Sequence, residues 1–187
     1  MQYRNQTLSK YLNDLSAKLP APGGGSAAAL NAALAAALLG MVVNFTLGKP
    51  RYARFEKELK SILAKSDKLR KRFLALVDLD VTAFKSGSIK KSLNVPLELA
   101  RLCVEASGLC PPLLAKGNPN LASDVGVAAV FLESAFRAAR FNVEINLKAL
   151  GDLKLTGRLS AELGRMQKSV FSVRKLTEAK VGKIIRR

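Results

Sequence analysis

No histidine occurs among the 187 residues. That removes the commonest general base, the commonest metal ligand and every Ser–His or Cys–His nucleophile pair. Catalysis then falls to Asp, Glu, Lys, Tyr or Cys. The two cysteines, Cys103 and Cys110, would lie about two helical turns or ~10 Å apart, too far for a disulfide. Without histidine they also fall short of a zinc site, so they read as buried, reduced thiols and no metal centre is expected. Asp78 and Asp80 are separated by about 200° around a helix axis and do not form a carboxylate dyad on one face. Asp80 by itself reads either as a solvated helix aspartate or as a single proton shuttle. The other conspicuous segment is Pro22-Gly23-Gly24-Gly25-Ser26, which opens a helix. Free backbone N–H groups and the positive end of the helix dipole favour an anion there. It lacks the Gly-Lys-Ser/Thr ending of a nucleotide-binding loop, and its alternative reading is a capped turn that permits close helix packing.

The elements that must position these residues are helical. Alanine and leucine dominate, while β-branched and aromatic residues are sparse, a balance that favours helix over strand. The pattern predicts a helix over Thr7–Ala17 with Leu8, Tyr11, Leu12 and Leu15 on one stripe, and a second helix, capped by Ser26, running to about Leu47. Small residues nearly all round the second helix suit the centre of a bundle or a dimer seam. A long helix is expected over Arg54–Phe84, another from near Pro96 that Pro111-Pro112 interrupts, and a turn at Gly117–Asn120. Ser123 then caps a helix reaching about Leu150, with Asp124 in its first turn. A last helix starts near Leu159. Nothing alternates at period two long enough to make a strand. The expectation is an all-α, single-domain helical bundle of long antiparallel helices over residues 1–187.

The net charge is +17, which predicts attraction to nucleic acid, an anionic membrane or a small substrate with several carboxylates. The basic excess concentrates in residues 54–72 and in the last helix, from Arg158 to Arg186 and Arg187. A basic nucleic-acid-binding protein is therefore a competing reading, but the cations are spread around helices rather than interleaved with exposed aromatics, and no binding motif is present. The start of the chain is polar and reads as no signal peptide. The run from Ala27 to Leu47 is alanine-rich and holds Asn31, Asn44 and Thr46, so it reads as a buried bundle helix rather than a membrane span. A cytoplasmic protein is expected.

Four segments in order resemble the formiminotetrahydrofolate cyclodeaminase and methenyltetrahydrofolate cyclohydrolase family. They are Leu19–Ser26 with Met41–Thr46, Gly48-Lys49 and Tyr52; Asp80-Val81-Thr82-Ala83-Phe84; Val95-Pro96-Leu97; and Gly117–Asp124 followed by Asn142–Leu147. Together they cover most of residues 1–150. The resemblance implies a helical dimer that binds folate in a groove lined by these motifs, with a tetrahydrofolate derivative as substrate and no further cofactor. It implies Asp80 as the proton-shuttling catalytic residue. It implies substrate contacts from Pro22, Gly23, Gly24, Gly25, Ser26, Lys49, Phe84, Asn118, Asn120, Ser123, Asp124, Asn142 and Asn146.

Spacing divides that set. Asp124 and Asn142 share a helix face but stand about 27 Å apart along it, so Asn142 with Asn146 forms one cluster, and Asp124 with Asn118 and Asn120 another. Interhelical hydrogen bonds and helix capping are the alternative roles. Lys49, Arg51 and Tyr52 would meet the glutamate tail of a polyglutamated folate, or form a solvated loop. One departure stands out: between Phe84 and Val95 the family usually carries about three more helical turns, which Lys85–Asn94 bridges here. Cyclodeaminase and cyclohydrolase activity remain equally compatible with the sequence. Outside the enzyme class, the short bridge also suits a helical dimer that binds folate or another anion without turning it over.

Overall fold

Helix propensity prevails along almost the whole chain. The computed structural model describes residues 2–186; Met1 and Arg187, the last of the basic residues named above, lie outside the described residues. Within them there are seven α-helices and no strand: α1 Leu8–Ser16, α2 Gly24–Asn44, α3 Glu56–Lys85, α4 Ile89–Ser107, α5 Cys110–Lys116, α6 Ala122–Leu150 and α7 Leu153–Ile185. Short 3-10 turns occupy Tyr3–Asn5, Pro50–Phe55 and Pro119–Leu121.

The alanines decide the centre of the bundle. Ala28, Ala29, Ala32, Ala33, Ala35 and Ala36 of α2 are buried, and their methyl side chains let α3 and α6 pack against it. The larger buried side chains Leu39, Phe73, Leu76, Leu132 and Phe136 fill the remaining core. By length and composition α2 would pass as a membrane span, but α3 and α6 cover its two long sides. The helices α4 and α7 pack in turn on α6. α3 and α6 both run antiparallel to α2, so the start of α2 meets the ends of α3 and α6.

The connections are short and explain where the observed elements depart from expectation. Gly87 adopts φ +67° in the Ser86–Ser88 turn, a left-handed conformation that suits glycine. Ser88 then caps α4 by accepting the Lys91 N–H, so α4 starts at Ile89 instead of near Pro96. Pro96 lies inside the helix and is buried; packing of its ring offsets the missing backbone donor. Gly151, at φ +73°, closes α6, and the Asp152 carboxylate accepts the Leu155 N–H. This cap starts α7 at Leu153, ahead of the expected Leu159.

The first helix is a strap over one end of the bundle rather than a core element. Thr7 caps it, but Leu8 and Leu12 of the expected stripe are exposed and Tyr11 is the buried residue. Tyr11 packs edge-to-face on Tyr3, with 5.4 Å between ring centroids. The Tyr3 hydroxyl donates to Asp14. The Tyr3 backbone N–H donates to Asp78, which also stands 3.5 Å from the Arg4 guanidinium. Asp78 therefore anchors the N-terminal segment to α3.

Candidate active site

A helix that begins Gly-Gly-Gly has no side chain with which to cap itself. Gly23 occupies the cap position of α2 without a side-chain hydrogen bond, and the first N–H groups of the helix have no partner within it. α3 runs antiparallel to α2 and brings Asp80, in its second-last turn, against this start. The fit is close: a Cβ on Gly25 would lie 2.2 Å from Asp80 Oδ1, so only glycine admits the carboxylate there. Ser26 is not the cap that its sequence position suggested, because the helix starts before it. It is fully buried, and its hydroxyl lies 3.1 Å from the Tyr11 hydroxyl.

Burial pushes the Asp80 carboxyl above the usual aspartate range, and the Ser26 backbone N–H tempers the rise by favouring the charged form. Tyr11 beneath it is also pushed up, mainly by burial and further by the Asp80 charge, while its bond to Ser26 opposes the shift. The two thiols lie elsewhere in the core, and burial raises both, which makes them inert.

Asp80 opens on a cavity of about 340 Å³ formed where four elements end or begin. Pro20, Ala21, Gly23, Gly24 and Gly25 make the wall at the start of α2; Asp80 and Phe84 come from α3, Ser92 from α4, and Asn142, Ile145 and Asn146 from α6. Pro22 is buried in the same turn without lining the cavity. Asn146 Nδ2 donates to the Ser92 carbonyl at 3.0 Å and to the Asn142 carbonyl at 2.7 Å. Asn142 Nδ2 donates to the Ala138 carbonyl at 2.9 Å. The cavity thus brings together the glycine turn, Asp80, Phe84, Asn142 and Asn146 from the sequence-derived set.

Lys49, Asn118, Asn120, Ser123 and Asp124 lie at the other end of the bundle. The Asn118 N–H donates to Thr46 beyond the end of α2, and a helix of this length separates the two ends by about 30 Å. Asn118 also accepts the Asn120 N–H, closing the Pro119–Leu121 turn. That turn runs directly into α6, so Leu121 takes the cap position and Ser123 falls inside the first turn, exposed and without a capping bond. Asp124 sits in the first turn as expected. Lys49 and Tyr52 line a separate hollow of about 130 Å³.

Sequence reasoning missed Pro20, Ala21, Ser92 and Ile145 as lining residues, although Pro20 and Ala21 belong to the Leu19–Ser26 motif. Ile145 stands one turn beyond Phe141 within a motif already singled out. Ser92 could be found only by seeing that α4 begins right after the Ser86–Ser88 turn.

An all-helical bundle with a lone carboxylate over a glycine-opened helix defines the class, and sequence comparison places it. The family model described as formiminotransferase-cyclodeaminase matches residues 7–89 and 86–165, and the chain belongs to that family. The match divides at the turn between α3 and α4. The chain is 34% identical to the methenyltetrahydrofolate cyclohydrolase of Methylorubrum extorquens, over 89% of this chain and 95% of that one. It is also 34% identical to the rat formimidoyltransferase-cyclodeaminase over 78% of this chain, and spans only 31% of that longer protein. The crystal structure of formiminotetrahydrofolate cyclodeaminase from Thermotoga maritima superposes with a TM-score of 0.92 at 26% identity, covering 97% of this chain and 98% of that one. The arrangement of the bundle is therefore shared with that structure over nearly the whole chain.

Proposed function

We propose that the protein is a folate one-carbon enzyme that closes or opens the bridge between N5 and N10 of tetrahydrofolate, with Asp80 as its catalytic residue. The observation that carries this reading is a half-buried carboxylate of raised pKa on the floor of a cavity, with no histidine anywhere in the chain to compete for the role. In the deaminating direction N10 attacks the carbon of the formimino group, which is protonated on its terminal nitrogen, and gives its own proton to Asp80. The resulting tetrahedral intermediate carries an amino group; Asp80 returns the proton to it, ammonia leaves, and the charge remains on the N5–C–N10 bridge. In the hydrolytic direction Asp80 takes a proton from a water that adds to the same carbon, then returns it to N5 as the carbon–N5 bond breaks and leaves the formyl group on N10. One carboxylate serves both as proton shuttle and as counter-charge to the cationic bridge. The substrate itself supplies the one-carbon unit, and no further cofactor is invoked.

Incubating the purified protein with each of the two substrates and following methenyl-folate absorbance tests the reading. Absorbance should grow from the formimino compound or decay from the methenyl compound. No change with either substrate would sink the enzymatic reading and favour an anion-binding bundle.

A polyglutamated substrate places its tail outside the cavity. Lys85, Lys90, Lys91 and Lys148 flank the lining residues Phe84, Ser92 and Asn146 in sequence and are exposed. None of them is in an ion pair among the described residues. These free cations support a tail at the cavity mouth rather than at Lys49, Arg51 and Tyr52 at the far end. Replacing Lys85, Lys90 and Lys91 together by alanine should raise KM for a pentaglutamyl substrate roughly tenfold at low salt, since each exposed pair is worth about 0.2–1 kcal/mol. The monoglutamyl substrate should change little; an equal effect on both would return these lysines to the solvated surface.

A cytoplasmic homodimer completes the proposal. Leu30, Leu34, Leu38, Met41 and Phe45 form one stripe along α2, and Val127, Val130, Phe141 and Ile145 another along the adjoining α6. Leu34, Phe45, Phe141 and Ile145 are well exposed in the single chain. An apolar face of this extent calls for a partner, and a second copy presents the same face. Light scattering should report at least a dimer; a monodisperse monomer would overturn this assignment.

A further inference from the structure

The hydrogen bonds of two cavity-lining amide side chains settle which of their atoms remain free to accept. A terminal amide nitrogen carries two hydrogens, and Asn146 commits both, to the carbonyls of Ser92 and Asn142. Asn142 commits its nitrogen to the Ala138 carbonyl. Exchanging nitrogen and oxygen in either amide would set an oxygen against a carbonyl oxygen, so the network itself fixes the assignment. Neither Oδ1 has a protein partner among the described residues. Neither is sealed from solvent either, because the orphaned buried side-chain atoms there are Asp78 Oδ2 and Thr177 Oγ1. The two oxygens of these cavity-lining side chains are therefore reachable, and they can only accept. With Asp80 they give the cavity three side-chain acceptors, while Asn142 Nδ2 is the atom that stands nearest the Gly24 position.

We infer that Asn142 and Asn146 receive the ammonia that leaves the one-carbon unit, or the water that enters in its place in the hydrolytic direction. This rests on the folate reading above and adds to it the receiver for the small leaving molecule. As the intermediate collapses, the amino nitrogen takes the proton held by Asp80. The carbon–nitrogen bond breaks with its electron pair passing to that nitrogen, and the positive charge stays on the N5–C–N10 bridge. The nitrogen bears three hydrogens at that moment, against three acceptors. It is also partly positive then, so the amide oxygens stabilise the transition state more than the bound substrate.

Turnover of the formimino substrate by Asn142→Leu is the direct test, because the only protein bond lost is one within α6 itself. The expected result is a fall in kcat of roughly 10- to 100-fold, the worth of a hydrogen bond to a charged group, with KM for folate within about threefold. Asn142→Asp keeps the acceptors. It should recover most of that loss above neutral pH and move the acid limb of the pH–rate profile upward, since a second carboxylate in the cavity raises the first. A raised KM with unchanged kcat in Asn142→Leu would place the amides on another part of the folate and overturn the inference. So would an unchanged rate. If the unaltered protein turns over neither substrate, the folate reading itself fails and takes this inference with it.

Discussion

Replacing Asp80 by asparagine is expected to lower turnover by roughly 10²–10⁴-fold, the usual worth of a positioned acid–base group, without weakening the fold. Asparagine keeps the shape and an oxygen for the Ser26 N–H but can neither take a proton nor carry charge. The stability side follows from the direction of the pKa shift. Burial raises the folded-state value of Asp80 above its ordinary value, so the folded chain holds this proton more tightly than the unfolded chain. The carboxyl then burdens stability as pH rises through the ordinary value toward the folded one, and does so fully above it. At pH 7 the melting temperature of Asp80→Asn should equal or exceed that of the unaltered protein. In the unaltered protein, kcat should fall on the acid side with a midpoint above the ordinary aspartate value. A variant that loses both activity and stability together would make Asp80 a structural group.

Asp78 is a poor control for this experiment, although its angular separation from Asp80 suggests a silent one. It holds the Tyr3 N–H and faces Arg4, so Asp78→Asn is expected to lower the melting temperature while leaving kcat nearly unchanged. Opposite signatures from two aspartates on one helix would separate anchor from shuttle.

Gly25→Ala is expected to cost turnover on the order of 100-fold through geometry alone. The added methyl would fall 2.2 Å from Asp80 Oδ1 and 2.7 Å from its Cγ, far inside contact, so the carboxylate must swing away. A shift of about 1 Å in a reacting group is enough for a loss of that size. The neighbouring position separates this effect from general disturbance of the turn. A Cβ on Gly24 would meet only Asn142 Nδ2, at 3.8 Å, an ordinary contact, so Gly24→Ala should be mild. Gly24→Val, whose branches protrude further, should impair folate binding more than stability. In the Gly25→Ala, Asp80→Asn double variant the losses should not add, because the methyl acts through the carboxylate already removed. Full additivity would mean that Gly25 serves the ligand directly.

The sequence by itself determined the secondary-structure class and the available chemistry. Alanine-rich and leucine-periodic segments form helices in any packing, because propensity and period 3.6 act within a few turns. The absence of histidine narrowed the acid–base candidates to Asp, Glu, Lys, Tyr and Cys, and the ordered motifs pointed to the family and through it to Asp80. Boundaries were less legible where two local signals competed. Pro96 resembled a helix start, yet Ser88 starts α4 earlier; Ser26 and Ser123 resembled caps, yet Gly23 and Leu121 hold those positions.

Only the tertiary structure decided which motif residues share a site. The cavity gathers the start of α2, the end of α3, the start of α4 and the end of α6. It leaves Lys49, Asn118, Asn120, Ser123 and Asp124 at the opposite end of the bundle. The same packing made Asp78 an anchor and Ser26 a buried partner of Tyr11. Such juxtapositions depend on how far each helix slides and rotates as alanine and leucine surfaces interlock. That register is settled by contacts between residues distant in sequence, which no local pattern along the chain encodes.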